Sequence, residues 1–74
     1  MKIGDEVGWQ WGSGLAMGEV IEIHAKRAEI ESKGKHIVRN GSNDDPAVVI
    51  RADNGSKVIK LAHEIQVVKG GEHV

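Results

Sequence analysis

The stretch of residues 4–23 constrains the fold most, because its pattern predicts two β-strands joined by a glycine-rich turn. Alternate residues of a strand point to the same face, so Val7, Trp9 and Trp11 are expected on one face of the first strand. Residues 12–14 supply the turn, since glycine tolerates positive φ. Both tryptophans lie here, and the chain has no tyrosine or phenylalanine. We therefore expect this hairpin to seed the core.

The second strand, over residues 15–24, has an irregular alternation of apolar residues. Val20, Ile21 and Ile23 cannot all face inward in a regular strand, because successive side chains point to opposite faces. Gly18 is a signal for a bend, since a glycine inside a strand often marks a bulge. We expect a bulge near residues 20–21, which lets Val20 and Ile23 both face the core.

The rest of the chain alternates short β-branched runs with turn signals, and long helical periodicity is absent. Further strands are predicted over residues 28–31, 36–39, 47–52, 57–61 and 65–68. Asn54 and Gly55 suit a type I′ turn, and residues 62–64 suit one 3-10 turn. Val58 and Ile59 cannot both face one core, and the period favours Ile59. The predicted core comprises Val7, Val20, Ile23, Ile30, Val38, Val48, Ile50, Ile59, Leu61, Ile65 and Val67.

The length of 74 residues allows one small domain, which we place at residues 1–69 with a flexible tail at residues 70–74. The chain has no cysteine, which excludes disulfides and thiolate metal sites. Secreted domains of this size usually need such cross-links, so a cytoplasmic location is expected. No apolar run approaches the roughly 20 residues of a membrane span, so no membrane association is expected. The net charge of −1 disfavours bulk attraction to nucleic acid.

Several short motifs resemble those of one domain family. They are Gly4-Asp5-x-Val7-x-Trp9-x-Trp11-Gly12, Gly18-x-Val20, Ile30-Glu31-Ser32-Lys33-Gly34-Lys35 and Arg39-Asn40-Gly41-Ser42-x-Asp44-Asp45-Pro46-Ala47. The first two resemble the opening hairpin of SH3-like barrels of the Tudor and KOW kind. Together, over residues 2–68, the motifs resemble the TUDOR domain of hypervirulence-associated proteins. The resemblance implies an all-β fold, a small antiparallel SH3-like barrel of five or six strands with one short 3-10 turn. It carries over no catalytic residue.

Trp9 and Trp11 are the first candidate ligand-binding residues, because tryptophan faces bind cations and stack on bases. A Tudor cage for methylated lysine normally needs three or four aromatic residues, and this chain has two. Packing in the core or at its rim is therefore the favoured interpretation of both tryptophans. A platform for another ligand, such as a peptide, is the alternative.

The loop from Arg39 to the single proline is the second candidate site. As a recognition loop it would use Arg39 to bind an anion, with Asn40, Asp44 and Asp45 as hydrogen-bonding groups. Asn, Asp and Ser also bond to nearby backbone groups, so a self-bonded turn is the favoured interpretation.

A group of basic residues in the middle of the chain offers a nucleic-acid alternative. The group comprises Lys26, Arg27, Lys33, Lys35 and Arg39. Glu29 and Glu31 interleave with these residues, so a solvated strand face is favoured over a phosphate-binding patch.

No arrangement of residues predicts catalysis, a metal site or a cofactor. The four histidines lack metal-ligand spacing, and no Ser/His/Asp or paired-carboxylate set can be argued from strand order. Type II plasmid dihydrofolate reductase, a different SH3-like barrel, forms a catalytic pore as a tetramer and is a remote alternative. Its Val-Gln-Ile-Tyr motif is absent, and Val58-Ile59-Lys60-Leu61 stands in that place. We therefore expect a non-enzymatic binding module for a protein or peptide, as a monomer or weak homo-oligomer.

Overall fold

In the computed structural model, which describes residues 1–70, the chain is built from β-strands and one 3-10 turn. The strands are β1 (Glu6–Trp11), β2 (Gly14–His24), β3 (Arg27–Ser32), β4 (Lys35–Asn40), β5 (Ala47–Ala52), β6 (Lys57–Leu61) and β7 (Gln66–Lys69). The 3-10 turn, η1, spans Ala62–Glu64 as predicted. Among these residues no helix is long and apolar enough to cross a membrane.

The strands form an antiparallel five-stranded sheet and a separate hairpin. The sheet has the order β6-β5-β2-β1-β7, and β3 pairs with β4. This arrangement confirms the all-β, barrel-like fold class. The described residues contain seven strands, one for each segment predicted individually and more than the five or six expected of the barrel as a whole.

The entry into β1 explains the Gly-Asp-x-Val motif. Gly4 has a φ of 97°, a conformation that glycine adopts easily. The backbone N–H of Gly4 donates to Val20 O, and Val20 N–H donates to Asp5 O, each at 2.9 Å. The Asp5 side chain is buried and its Oδ2 accepts the Lys2 N–H at 2.9 Å. The motif therefore attaches the start of the chain to the middle of β2.

The predicted bulge lies at Ile21. Val20 pairs with Ile50 and Glu22 pairs with Val49, so Ile21 is the extra residue on β2. The bulge turns Val20 and Ile23 toward one core and Ile21 toward another. This prediction is confirmed, and its cause is the mismatch between the apolar run and the two-residue period.

The type I′ turn occurs at a different position from the predicted one. Lys33 and Gly34 have φ values of 55° and 79°, and they form a two-residue loop between the paired residues Ser32 and Lys35. Asn54 does not have positive φ. The Asn-Gly loop is longer instead, because Gly55 N–H donates to Ala52 O at 2.8 Å and Ala52 N–H donates to Ser56 O at 2.7 Å.

Two hydrophobic clusters lie on opposite faces of β5. The main cluster contains Val7, Trp9, Val20, Val48, Ile50 and Ile65. The second cluster lies under the β3–β4 hairpin and contains Ala28, Ile30, Ala47, Val49 and Ile59. Val58 and Ile59 therefore both face a core, because Val58 packs against the main cluster and Ile59, as predicted, is buried, in the second cluster.

Two residues of the predicted core lie elsewhere. Val38 pairs with Glu29 and is only half-buried, while its neighbour Ile37 pairs with Ile30 and packs against the second cluster. Val67 is 47% exposed, because it lies on the edge strand β7. The single-domain prediction stays a prediction. Of the predicted tail, residues 71–74 lie outside the described residues.

Candidate functional site

The two tryptophans share one face of β1 but have opposite environments. Trp9 is 4% exposed and belongs to the main cluster, whereas Trp11 is 72% exposed. Trp11 pairs with Gly14 beside the β1–β2 turn. β5 accompanies β2 no further than Gly18, and β7 pairs with β1 no further than Gly8, so only β2 reaches the level of Trp11. The end of the sheet therefore leaves one indole in the core and the next in solvent.

An apolar depression of about 190 Å³ lies beside Trp11 and is called the Trp11 groove below. Its lining consists of Trp9, Trp11, Ala16, Lys33, Ala52, Asn54, Ser56 and Val58. Ala16, Ala52 and Val58 pack against the main cluster and form an apolar floor. The groove lies where the end of β1 and the start of β2 meet the β3–β4 turn and the β5–β6 turn with its flanking strand residues.

The polar rim of the groove is formed by turn residues. Asn54 Oδ1 accepts the Ser56 N–H at 2.9 Å, which orders the β5–β6 turn. Lys33 is the only non-glycine residue with positive φ in residues 1–70. A lysine in this conformation costs roughly 1–2 kcal/mol, because its Cβ crowds the following carbonyl oxygen. No aspartate or glutamate lines the groove, so it lacks the acidic groups that would help to hold a cationic side chain.

The loop between β4 and β5 is bonded to η1. Asp45 accepts two hydrogen bonds from His63, one from the backbone N–H at 2.8 Å and one with Nδ1 at 2.6 Å. The backbone N–H of Asp45 donates to Ser42 Oγ at 3.1 Å. Arg39 lies on the inward face of β4, where its Nη2 donates to Glu64 Oε2 at 3.0 Å.

These contacts change the acidity of both carboxyl groups. The hydrogen bond from the His63 side chain lowers the pKa of Asp45, and the His63 backbone N–H adds to this effect. The hydrogen bond from Arg39 lowers the pKa of Glu64. Each carboxylate is therefore ionised at neutral pH and occupied by a partner within the fold. The two carboxylates therefore hold the β4–β5 loop and β4 against η1.

A second, larger depression of about 300 Å³ is called the His63 cleft. It is lined by Gly8, Trp9, Gln10, Leu15, His63, Glu64, Ile65 and Gln66. The two titratable side chains in this lining already have partners, because His63 is bonded to Asp45 and Glu64 to Arg39. The His63 cleft therefore offers fewer unused polar groups than its size suggests.

The Trp11 groove and the polar loop do not meet. The loop precedes Ala47 at one end of β5, while the Trp11 groove lies beyond Ala52 at the other end. The length of β5 separates them by roughly 17 Å. Arg39 and Asp45 contact η1, and neither Asn40 nor Asp44 lines the groove or the cleft; both are exposed. Trp11 is thus separated from the four polar residues of the predicted site.

The basic residues are also distributed along the length of the β3–β4 hairpin. Lys26 and Arg27 lie where β3 begins, and Lys33 and Lys35 lie at the far turn. Arg27 is paired with Glu29, and Arg39 is paired with Glu64. The hairpin therefore presents the charges as separate groups at its two ends.

Several groove residues were not recognised in the sequence. Ala16, Ala52, Asn54, Ser56 and Val58 come from strands and turns that no local pattern brings together. Lys33, a candidate residue of the nucleic-acid alternative, lines the groove. The two-residue spacing of Lys33-Gly34 between strands was the available signal for its turn. His63 and Glu64 carried no signal, because their partners lie 18 and 25 residues away.

The described residues contain no group of three or more His, Cys, Asp or Glu side chains that could hold a metal ion.

Residues 4–65 match the family model described as the TUDOR domain of hypervirulence associated proteins, which covers well over half of the chain. A TUDOR domain is a small binding module and is typically non-catalytic. Searches of curated proteins and of solved structures each found no match. The chain therefore belongs to the family of hypervirulence-associated protein TUDOR domains.

Proposed function

We propose that this domain binds an extended peptide segment of a partner protein in the Trp11 groove. The observation that carries the proposal is an indole with 72% of its surface exposed beside an apolar floor, in a chain whose other tryptophan is buried. Tryptophan is enriched among the residues that dominate binding energy at protein interfaces. Covering the Trp11 ring would remove a large apolar area from water.

The size and chemistry of the groove favour a peptide side chain over a small-molecule cofactor. Cofactor and drug-like ligands occupy pockets of roughly 300–1,000 Å³. The Trp11 groove measures about 190 Å³, which suits one apolar side chain. Asn54, Ser56 and Lys33 at the rim provide polar groups near the path that a peptide backbone would take.

The proposal can be tested by nuclear magnetic resonance with a random dodecapeptide library as the probe. Peptides are selected on the immobilised domain, synthesised and titrated into the ¹⁵N-labelled protein. The indole N–H signal of Trp11 should shift, together with the backbone signals of Asn54 and Ser56. Trp11→Ala should weaken binding by at least tenfold, because it removes the largest exposed apolar surface in the groove.

Leu15→Ala is the matched control. Leu15 is 69% exposed, much like Trp11, but it lines the His63 cleft and not the Trp11 groove. Its truncation should leave peptide affinity unchanged. If Leu15→Ala removes binding and Trp11→Ala does not, the ligand occupies the other cleft and the proposal is wrong. Signal shifts confined to the basic residues, with a strong dependence on salt, would instead indicate electrostatic binding of the kind that nucleic acid uses.

A further inference from the structure

We infer that Lys33 makes the Trp11 groove selective for peptides that carry a carboxylate next to an apolar side chain. The inference rests on the proposed function and specifies its ligand. It comes from two independent observations, which are the backbone conformation of Lys33 and the distribution of charge around the groove.

The backbone conformation shows that the turn itself does not require lysine. Lys33 has a φ of 55° in a two-residue loop, followed by Gly34 at 79°. Asparagine, aspartate and glycine are the residues that such a loop prefers at its first position. A lysine there is strained, and strain of this kind is concentrated at functional positions. The side chain, which lines the Trp11 groove, provides a reason for lysine at this position.

The charge distribution determines which ligand the side chain would favour. Lys33 is the only charged residue in the lining of the groove. It forms no ion pair within residues 1–70, so its ammonium group is available to a ligand. An unpaired ammonium beside an apolar floor attracts a carboxylate and repels a lysine or methylated lysine. The complementary ligand therefore has an apolar residue flanked by aspartate or glutamate.

The test compares peptide selections on three proteins: the wild type, Lys33→Asn and Lys35→Asn. Lys35 is the matched control, because it belongs to the same hairpin, has ordinary φ and does not line the groove. Peptides selected on the wild type and on Lys35→Asn should be enriched in acidic residues beside a large apolar residue. Peptides selected on Lys33→Asn should retain the apolar residue and lose the acidic enrichment.

Affinities of synthetic peptides give the quantitative comparison. Replacing the aspartate of a selected peptide by asparagine should weaken its binding to the wild type about two- to fivefold, as expected for an exposed ion pair. The same replacement should change binding to Lys33→Asn by less than twofold. Raising the salt concentration should weaken the preference of the wild type and of Lys35→Asn for acidic peptides, because exposed charges are screened.

The thermal stability of Lys33→Asn separates a binding role from a structural one. Asparagine tolerates positive φ, so its melting temperature should be higher than that of the wild type. A lower melting temperature would show that lysine stabilises the turn, and the inference would be wrong. Equal binding of acidic, neutral and basic peptides at the groove would also overturn the inference and leave the proposed function intact. Failure of every peptide to shift Trp11 would overturn both.

Discussion

At the scale of single residues, position along a strand determines the role of chemically identical side chains. Trp9 and Trp11 follow the same two-residue period, yet only Trp9 is covered by neighbouring elements. The period predicts which face a side chain occupies. Whether that face is covered depends on how far the adjacent strands extend.

Truncating the two tryptophans should therefore have very different effects on stability. Trp9→Ala should lower the free energy of unfolding by about 3–5 kcal/mol, because it leaves a large cavity in the main cluster. Trp11→Ala should change it by less than about 0.5 kcal/mol. Urea denaturation followed by far-ultraviolet circular dichroism measures both. Similar losses for the two variants would contradict the assignment of Trp11 to an exposed site.

Gly18 is required by a close approach between strands. A Cβ atom added there would lie 2.6 Å from both Arg51 O and Ile50 Cγ2, closer than van der Waals contact allows. Gly18→Ala should therefore destabilise the fold by about 1–3 kcal/mol, since β5 must move away from β2. Gly14→Ala is the control on the same strand, because its nearest neighbour lies at 3.9 Å. A denaturation midpoint unchanged by Gly18→Ala would show that the strands lie further apart.

At the scale of elements, side chains join segments that are distant in the sequence. The β4–β5 loop is attached to η1 through Asp45 and His63, and β4 is attached to η1 through Arg39 and Glu64. The sequence predicted the self-bonded turn as the favoured interpretation of the loop. The hydrogen bonds between Ser42 and Asp45 agree with part of it, and the contact with η1 adds a longer-range anchor.

This attachment should weaken in acid. Because the folded-state pKa of Asp45 is lowered below its usual 3.8, its carboxylate stabilises the folded loop above about pH 3.8. That stabilisation is lost as the pH falls through the lower, folded-state pKa. The backbone N–H signal of His63 should therefore titrate with a midpoint below 3.8. Asp45→Asn should abolish this titration, and its persistence in the variant would assign the effect to another group.

At the scale of the whole molecule, β5 joins two hydrophobic clusters into one structure. Its consecutive residues Val48 and Val49 are both buried, and they point to opposite faces. The β3–β4 hairpin covers the second face, so β5 is buried on both sides. A continuous apolar run is the expected sequence signature of such a strand. The turn of the same hairpin contributes Lys33 to the Trp11 groove.

Truncation at either cluster should therefore destabilise the entire domain. Val48→Ala and Val49→Ala should each lower the free energy of unfolding by about 1.5–3 kcal/mol, because each removes buried methyl groups and leaves a cavity. Unfolding should remain a single transition in both variants. Coincident curves from tryptophan fluorescence and circular dichroism would verify this. A separate early transition in Val49→Ala would show that the hairpin unfolds independently.

Local patterns of residues were enough to predict the all-β class, the bulge beside Val20, the 3-10 turn and most core residues. Each of these depends on the spacing of apolar residues and turn formers within a few positions, so it is encoded locally. The exposure of Trp11, the two buried faces of β5 and the position of Lys33 in a groove follow from the packing of the strands instead. These features depend on which strands lie side by side and where they end. Contacts between residues far apart in the chain determine these features, and the local spacing of apolar residues does not encode them.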